Sequence, residues 1–424
     1  MTGNRENRMP AMSKSSIETV LASSIQKKKT YLEAVKSHGS PLYILEPEVL
    51  AQKARQFKNA FESELSKIKC YFAMKSNNMP LISGILVQNG FGIDVSSGLE
   101  LAAALSINAE DIVFSGPGKT EKELLMAIEN SSKTTLLLDS FGELKRLEKL
   151  VHDLDRPLAV GVRLNNNPTG LWRKFGIPLS RLSDFYNEAK AIPNICFKGL
   201  QFHSSWNLEP DRQIEFIEIL GTHLKTMPED FLNALEFIDI GGGYWPPQGE
   251  WLVSENPLEH YALPAQSIES FAGRLAQALK SNILHRVDCT ICLEPGRWIC
   301  NDAMHLLIQV IDKKEEDLVI TDAGTNTIGW ERFESDYFPV INLSNFENRE
   351  RPCHILGSLC TPHDVWGYAY FGKSISEGDI LMIPMQGAYT YSLRQQFIKP
   401  LPRVVAAEER GLFTETEFQK TWNF

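Results

Sequence analysis

The chain has 424 residues, 43% hydrophobic and 23% charged, with a formal net charge of -10. That is ample for a large core, and the acidic balance argues against a nucleic-acid surface, which needs concentrated positive charge. No segment has the length and unbroken apolarity of a membrane span, and seven scattered cysteines suggest free thiols in a reducing cytoplasm rather than a disulfide framework.

Residues 1–16 are polar, lack an apolar signal core and read as a frayed tail. A helix is expected from Ile17 to about Ser37, ended by His38-Gly39-Ser40-Pro41, then a short strand over 41–45 and a helical pattern over 46–65. From Tyr71 short apolar runs recur, at 71–74, 92–95, 112–114, 135–138, 158–162, 197–202, 235–240 and 290–293. Helix-like stretches lie between them, among them 98–105, 120–128, 213–225 and 267–279. Eight such alternations over about 230 residues predict an α/β fold, a closed (β/α)8 TIM-type barrel rather than an open sheet. After Cys300 strand-like runs continue (305–311, 317–320, 338–343, 353–359, 380–385) without long amphipathic stretches. They predict a C-terminal β-barrel of short antiparallel strands. The expected division is therefore 1–40 tail and helix, 41–300 barrel and 301–424 sheet domain, with 17–45 packing on the last. The insertion 246–264 follows the seventh run and is expected to overhang the barrel mouth.

Reactive residues of an α/β barrel come from the C-terminal ends of its strands. Lys75 follows the first run and Asp94 lies near the end of the second. Arg163 follows the fifth run, His203 the sixth, Gly241-Gly242-Gly243 the seventh, and Glu294-Pro295-Gly296-Arg297 the eighth. A lysine amine in a partly dry pocket can form a Schiff base with an aldehyde; alone it reads as a solvated lysine. Three glycines let backbone N–H groups approach a phosphate, helped by any helix start behind them, whereas alone they read as a flexible turn. A carboxylate at Glu294 can keep a pyridine nitrogen protonated and so make the ring an electron sink; the bland alternative is a rim salt bridge to Arg297. His203, followed by Ser204-Ser205, suits a ring stacked on a flat cofactor, and Asp94 either faces that cofactor or caps the next helix. Together these features suit pyridoxal 5'-phosphate. Cys289 and Cys292 form a CxxC inside a strand-like run and read as core residues, so no metal is expected. Ser115-Gly116-Pro117-Gly118-Lys119 is too short for a Walker loop and reads as a turn.

These residues resemble the fold-type III pyridoxal-phosphate decarboxylases, the group of diaminopimelate and ornithine decarboxylases, over roughly residues 41–406. The resemblance implies a barrel, a C-terminal β-barrel and a homodimer with shared active sites. By that likeness Lys75 corresponds to the Schiff-base lysine, His203 to the stacking histidine, Gly241, Gly242 and Gly243 to the phosphate loop, Glu294 to the ring-nitrogen partner and Arg297 to a phosphate-side arginine. Asp94 and Arg163 correspond to supporting residues, and Tyr389 in Gly387-Ala388-Tyr389 to a tyrosine near the phosphate. Cys360, in Gly357-Ser358-Leu359-Cys360, resembles the proton donor supplied to the partner's site. Where the family often has a phosphate-contacting serine this chain has Trp206, so Ser204 or Ser205 is expected to substitute.

Relatives acting on free diamino acids carry an acid after that cysteine; here Thr361-Pro362 follows. A neutral residue cannot pair with a buried ammonium. The stretch from Cys360 to Asp364 is similar to that of biosynthetic-cluster decarboxylases acting on conjugated amino acids, such as siderophore intermediates or carrier-tethered glutamate. Thr361 and Asp364 are therefore expected at the substrate. Arg332, in a loop over 325–337, is expected to meet a substrate carboxylate or else a surface acid. The alternatives are decarboxylation of a free diamino acid, an amino-acid racemase (against which Glu294 argues) and an inactive regulatory homologue (against which Lys75 and Cys360 argue).

Overall fold

The computed structural model describes residues 10–151, 157–254, 256, 258–329 and 336–407, and the backbone of 413–415. The chain divides into two compact units, residues 53–245 with 266–298 in one, and residues 1–52, 246–265 and 299–420 in the other.

The first unit is a parallel barrel. Its strands are Ile68–Ala73, Gly92–Val95, Ile112–Phe114, Thr134–Leu138, Leu158–Asn165, Ile195–Gln201, Phe237–Asp239 and Thr290–Leu293. Each pairs in parallel with the next, and the eighth closes on the first, Ile291 opposite Ile68. The strand tube is filled by side chains, as closed eight-stranded barrels require. Tyr71, Val113, Leu137 and Cys292 form one buried cluster, with Phe237 against it. Glycines make the room: a Cβ on Gly92 would fall 2.5 Å from the Tyr71 ring, and one on Gly199 2.5 Å from Phe237. Outer helices start on side-chain caps. Ser97 accepts from the Glu100 N–H, and Thr120 forms a capping box with Glu123 at the head of Glu121–Glu129.

The eight predicted runs coincide with the eight strands to within a few residues. The fifth extends further, to Asn165, and carries an extra two-residue strand, Ile177–Pro178, on its edge.

In the second unit six strands close a ring. Met304–Glu315 pairs with Leu318–Thr321, and the ring returns through Glu350–Leu356, Val365–Phe371, Ile341–Asn342 and Ile380–Ile383. The ring is a β-barrel of mixed direction rather than wholly antiparallel: Leu318–Thr321 runs parallel to Glu350–Leu356, and Ile341 pairs in parallel with Phe371. The N-terminal strand Leu42–Leu45 lies between Met304–Glu315 and Arg403–Ala407. The expected single N-terminal helix is two, Lys14–Gln26 and Lys28–His38, broken at Lys27. Leu21, Tyr31 and Ala34 from them pack with Leu42, Ile44, Leu307 and Val405 in one core.

The insertion that follows the seventh run groups with the sheet unit. Its strands Glu250–Val253 and His260–Leu263 form a hairpin, which bridges Ala11 through Tyr261 and Asp336 through Leu252. Its apolar residues find cover there, Trp251 packing with Tyr337 and Met385. Among the described residues no helix is long and apolar enough to cross a membrane.

Candidate active site

The rim of the barrel is stitched together beyond the strand ends. The Ala73 N–H donates to the Pro295 carbonyl at 3.2 Å, Phe202 to Asp239 at 2.9 Å, and Glu294 to Gly241 at 2.9 Å. These bonds set the side chains that follow strands one, six, seven and eight around one mouth.

Lys75 lies in a short 3-10 turn, Met74–Ser76, after the first strand. Its Nζ is 2.7 Å from Asp94 Oδ2, and Asp94 Oδ1 accepts from Ser115 Oγ at 2.7 Å. Asp94 therefore does not cap the next helix; Ser97 does. Ser115 lies within the stretch that reads as a turn, and nothing in the sequence links it to the site.

Glu294 is 2% exposed and accepts from Gln201 Nε2 at 3.2 Å. Burial and the nearby Asp94 charge push its carboxyl up to about 7, against the pull of Lys75 and Arg163. Asp239, fully buried at the end of the seventh strand, interacts with it, and burial followed by the Glu294 charge raises its carboxyl well above the usual range. Neither Gln201 nor Asp239 stands out in the sequence. The signal that could have found Asp239 is a carboxylate at a barrel strand's C-terminal end, two residues before the triple glycine.

His203 is held as one tautomer. Its Nδ1 accepts the Gly242 N–H at 3.0 Å, so the ring proton sits on Nε2, 3.2 Å from Ser205 Oγ. Burial, then the Lys75 and Arg163 charges, drive its pKa well below the ordinary histidine value, so the ring is neutral. Trp206, at positive φ, is 53% exposed. Ser204 Oγ accepts from Asn166 Nδ2 at 2.7 Å, which leaves Ser205 as the serine next to the histidine.

The glycine turn is tight. Gly241 and Gly243 have φ of 68° and 85°. A Cβ on Gly242 would fall 2.1 Å from the Glu294 carbonyl oxygen. Two of the three N–H groups point inward, Gly241 to Asp239 Oδ1 at 2.8 Å and Gly242 to His203 Nδ1. The Gly243 N–H, without an acceptor among the described residues, is the donor open to a phosphate. No helix begins behind the turn; the chain passes through Tyr244 and Trp245 into the hairpin insertion. Arg297 opens the short helix Arg297–Cys300 with its guanidinium 4.5 Å from the Trp245 ring, and Arg163 stacks at 4.5 Å on Phe175.

The remaining expected residues belong to the sheet unit. Cys360 and Thr361 are exposed, and Tyr389 is half-buried at φ 58°. Asp364, expected at the substrate, is 2% exposed and already engaged: Oδ1 accepts from the Thr325 N–H and Oδ2 from the Leu359 N–H, both at 2.7 Å. It ties its own loop to the turn at Thr325, and a carboxylate buried there needs those donors. Arg332 lies outside the described residues. Cys289 and Cys292 are buried free thiols, Cys289 pushed up to about 12 by burial, and among the described residues no His, Cys, Asp or Glu group could hold a metal.

The barrel mouth thus combines an amine beside a buried acid, a neutral imidazole of fixed tautomer, a side-chain-free turn with an open N–H, and a buried carboxylate. This set fits a flat aldehyde with a phosphate tail and a basic ring nitrogen. Fold and site together define a pyridoxal-phosphate-dependent decarboxylase.

Residues 48–301 match the pyridoxal-binding domain of the pyridoxal-dependent decarboxylases, and residues 297–387 match their C-terminal sheet domain. The chain belongs to this family. It is 26% identical to a diaminopimelate decarboxylase of Methanothermobacter thermautotrophicus over 89% of each chain. It is 27% identical to 2-((L-alanin-3-ylcarbamoyl)methyl)-2-hydroxybutanedioate decarboxylase of Staphylococcus aureus, over 77% of this chain and 84% of the other. The crystal structure of Helicobacter pylori diaminopimelate decarboxylase complexed with L-lysine superposes with a TM-score of 0.76 at 25% identity, covering 91% of this chain and 95% of that one.

Proposed function

We propose that the chain removes the α-carboxylate, as carbon dioxide, from an amino acid already joined to a larger group, in a siderophore or other secondary-metabolite pathway. The observation that carries this reading is Thr361-Pro362 after Cys360. A free diamino acid presents a second ammonium, and enclosing it without an anion is costly. The one acid in the stretch 357–366 is Asp364, whose two oxygens accept backbone N–H groups. The Staphylococcus aureus relative, whose name describes an amide-linked substrate, supports the same reading.

When bound, the cofactor supplies an electron sink for charge developing at the substrate Cα. The protein does the rest. Lys75 holds the cofactor covalently and Glu294 holds the ring nitrogen. Neutral His203 offers a flat face, and the Gly243 N–H with Arg297 holds the phosphate. Asp94 keeps the Lys75 amine in place. Cys360 is exposed, and a second copy in a homodimer receives it as the proton donor to Cα.

A second reading, decarboxylation of free diaminopimelate, is favoured by the Methanothermobacter thermautotrophicus relative. Carbon dioxide release separates the two. Cofactor-loaded protein is offered diaminopimelate, ornithine and lysine against their amide-linked and carrier-tethered counterparts. Preferential release from the conjugates supports the proposal, and turnover of a free diamino acid at equal or greater kcat/KM overturns it.

A further inference from the structure

Asp239 and Glu294 are two carboxyls closed off from water on neighbouring strands. Asp239 is the register partner of Gln201 on one side and of Cys292 on the other, and Glu294 follows two residues after Cys292. Two ionised carboxylates buried this near each other, each acting on the other, cannot both persist at such a site, so one proton must be shared.

The surroundings decide where that proton lies. Glu294 receives the Gln201 amide and feels the Lys75 and Arg163 charges. Among the described residues the charges acting on Asp239 are those of Glu294 and Asp94, with no cation beside them. Its Oδ1 accepts the Gly241 N–H, while its buried Oδ2 receives no N–H or O–H from the described residues. The other titratable groups facing Asp239 are Asp94, Tyr71, Tyr244 and Cys292. Burial raises the two phenols and the thiol, so they stay neutral, and the Asp94 charge disfavours a further anion.

We propose that Asp239 is a positioning residue that keeps one proton on Oδ2 and donates it to Glu294, so that Glu294 alone offers negative charge to the cofactor's ring nitrogen. The same carboxyl fixes the Gly241 N–H, and so ties the phosphate turn to the ring-nitrogen partner. Nothing in the reaction needs Asp239 to ionise. An asparagine reproduces both of its bonds, its oxygen accepting from Gly241 and its amide donating to Glu294.

The proposal rests on the cofactor reading for its consequence but not for its first test. Infrared spectra of cofactor-free protein at mildly alkaline pH should show a protonated-carboxyl band that Asp239→Asn removes. Absence of the band in the wild-type chain, or its survival in Asp239→Asn, overturns the proposal. With cofactor, Asp239→Asn should bind within about threefold of wild type and keep the pH dependence of the cofactor absorbance. Asp239→Ala should bind at least about tenfold more weakly and shift that pH dependence. An asparagine variant as impaired as the alanine shows that Asp239 acts as an anion and sinks the idea. Should the wild-type chain take no cofactor, the functional reading fails while the infrared result still decides the position of the proton.

Discussion

Lys75 Nζ lies 2.7 Å from Asp94 Oδ2, with a third of the lysine side chain exposed and none of the aspartate. The amine can be reached from the barrel mouth while its counter-ion cannot leave. That asymmetry is what a residue needs if it must exchange partners without losing its place.

Removing that amine should therefore have two effects. Lys75→Ala should yield no borohydride-fixed cofactor adduct and lose turnover. It should also destabilise the cofactor-free protein by roughly 1–3 kcal/mol, because among the described residues Asp94 then keeps the Ser115 hydroxyl and no cation in a dry site. Mass spectrometry after reduction and a denaturant melt measure the two, and a fixed adduct in the variant would remove Lys75 from its assigned role.

Gly242→Ala should be disproportionately costly. The new methyl would meet the Glu294 carbonyl oxygen, which is backbone and held by the strand edge. We expect a loss of about 1–3 kcal/mol or more and weaker cofactor retention on dialysis. A variant that melts and retains cofactor like wild type would show that the turn is looser than described.

Glu294 makes a signed prediction about pH. Its folded pKa, near 7, lies above its unfolded value, so its contribution to stability is full below about 4.5 and is lost as pH rises through about 7. Its share is roughly 3 kcal/mol at most. His203 works the other way: its folded pKa is depressed, so its contribution is lost as pH falls through the ordinary histidine range. The difference between wild type and Glu294→Gln isolates the first effect. Across pH 5 to 8, cofactor-free wild-type stability should fall relative to the glutamine variant, and parallel pH curves would refute the assignment.

Cys360→Ala should separate chemistry from folding. The side chain is exposed, so stability should change by less than about 0.5 kcal/mol. Product formation should slow, or divert towards transamination, while cofactor stays bound. Unchanged turnover and product ratio would exclude Cys360 from proton delivery.

Much of the barrel is legible in the sequence because a strand buried on both faces reads as a continuous apolar run, and each such run here is followed by a polar or glycine-rich turn. Pairing partners are less visible. The strand over 41–45 is readable by composition, but nothing local says that it joins residues 304–315 and 403–407. The strands Val365–Phe371 and Arg403–Ala407 escape for a related reason, since short strands of a small ring gain their definition from neighbours. In the site, residues at strand ends are found by position, and those acting on other side chains are not. Gln201, Ser115 and Asp239 look like ordinary polar residues until their partners are in place. Asp364 shows the reverse, being chemically suited to a ligand yet occupied by the backbone N–H groups of Thr325 and Leu359.

The interleaving of the two units has an outcome for biosynthesis. The sheet unit draws on three separated stretches, and Leu42–Leu45 waits for partners some 260 positions downstream. As the polypeptide emerges, the eight-stranded cylinder has all of its staves before the ring exists, while the leading strand has its helices but no strand to pair with. Ribosome-bound intermediates should therefore expose the apolar edge of that segment until translation has passed residue 407, the period in which a chaperone has most to shield.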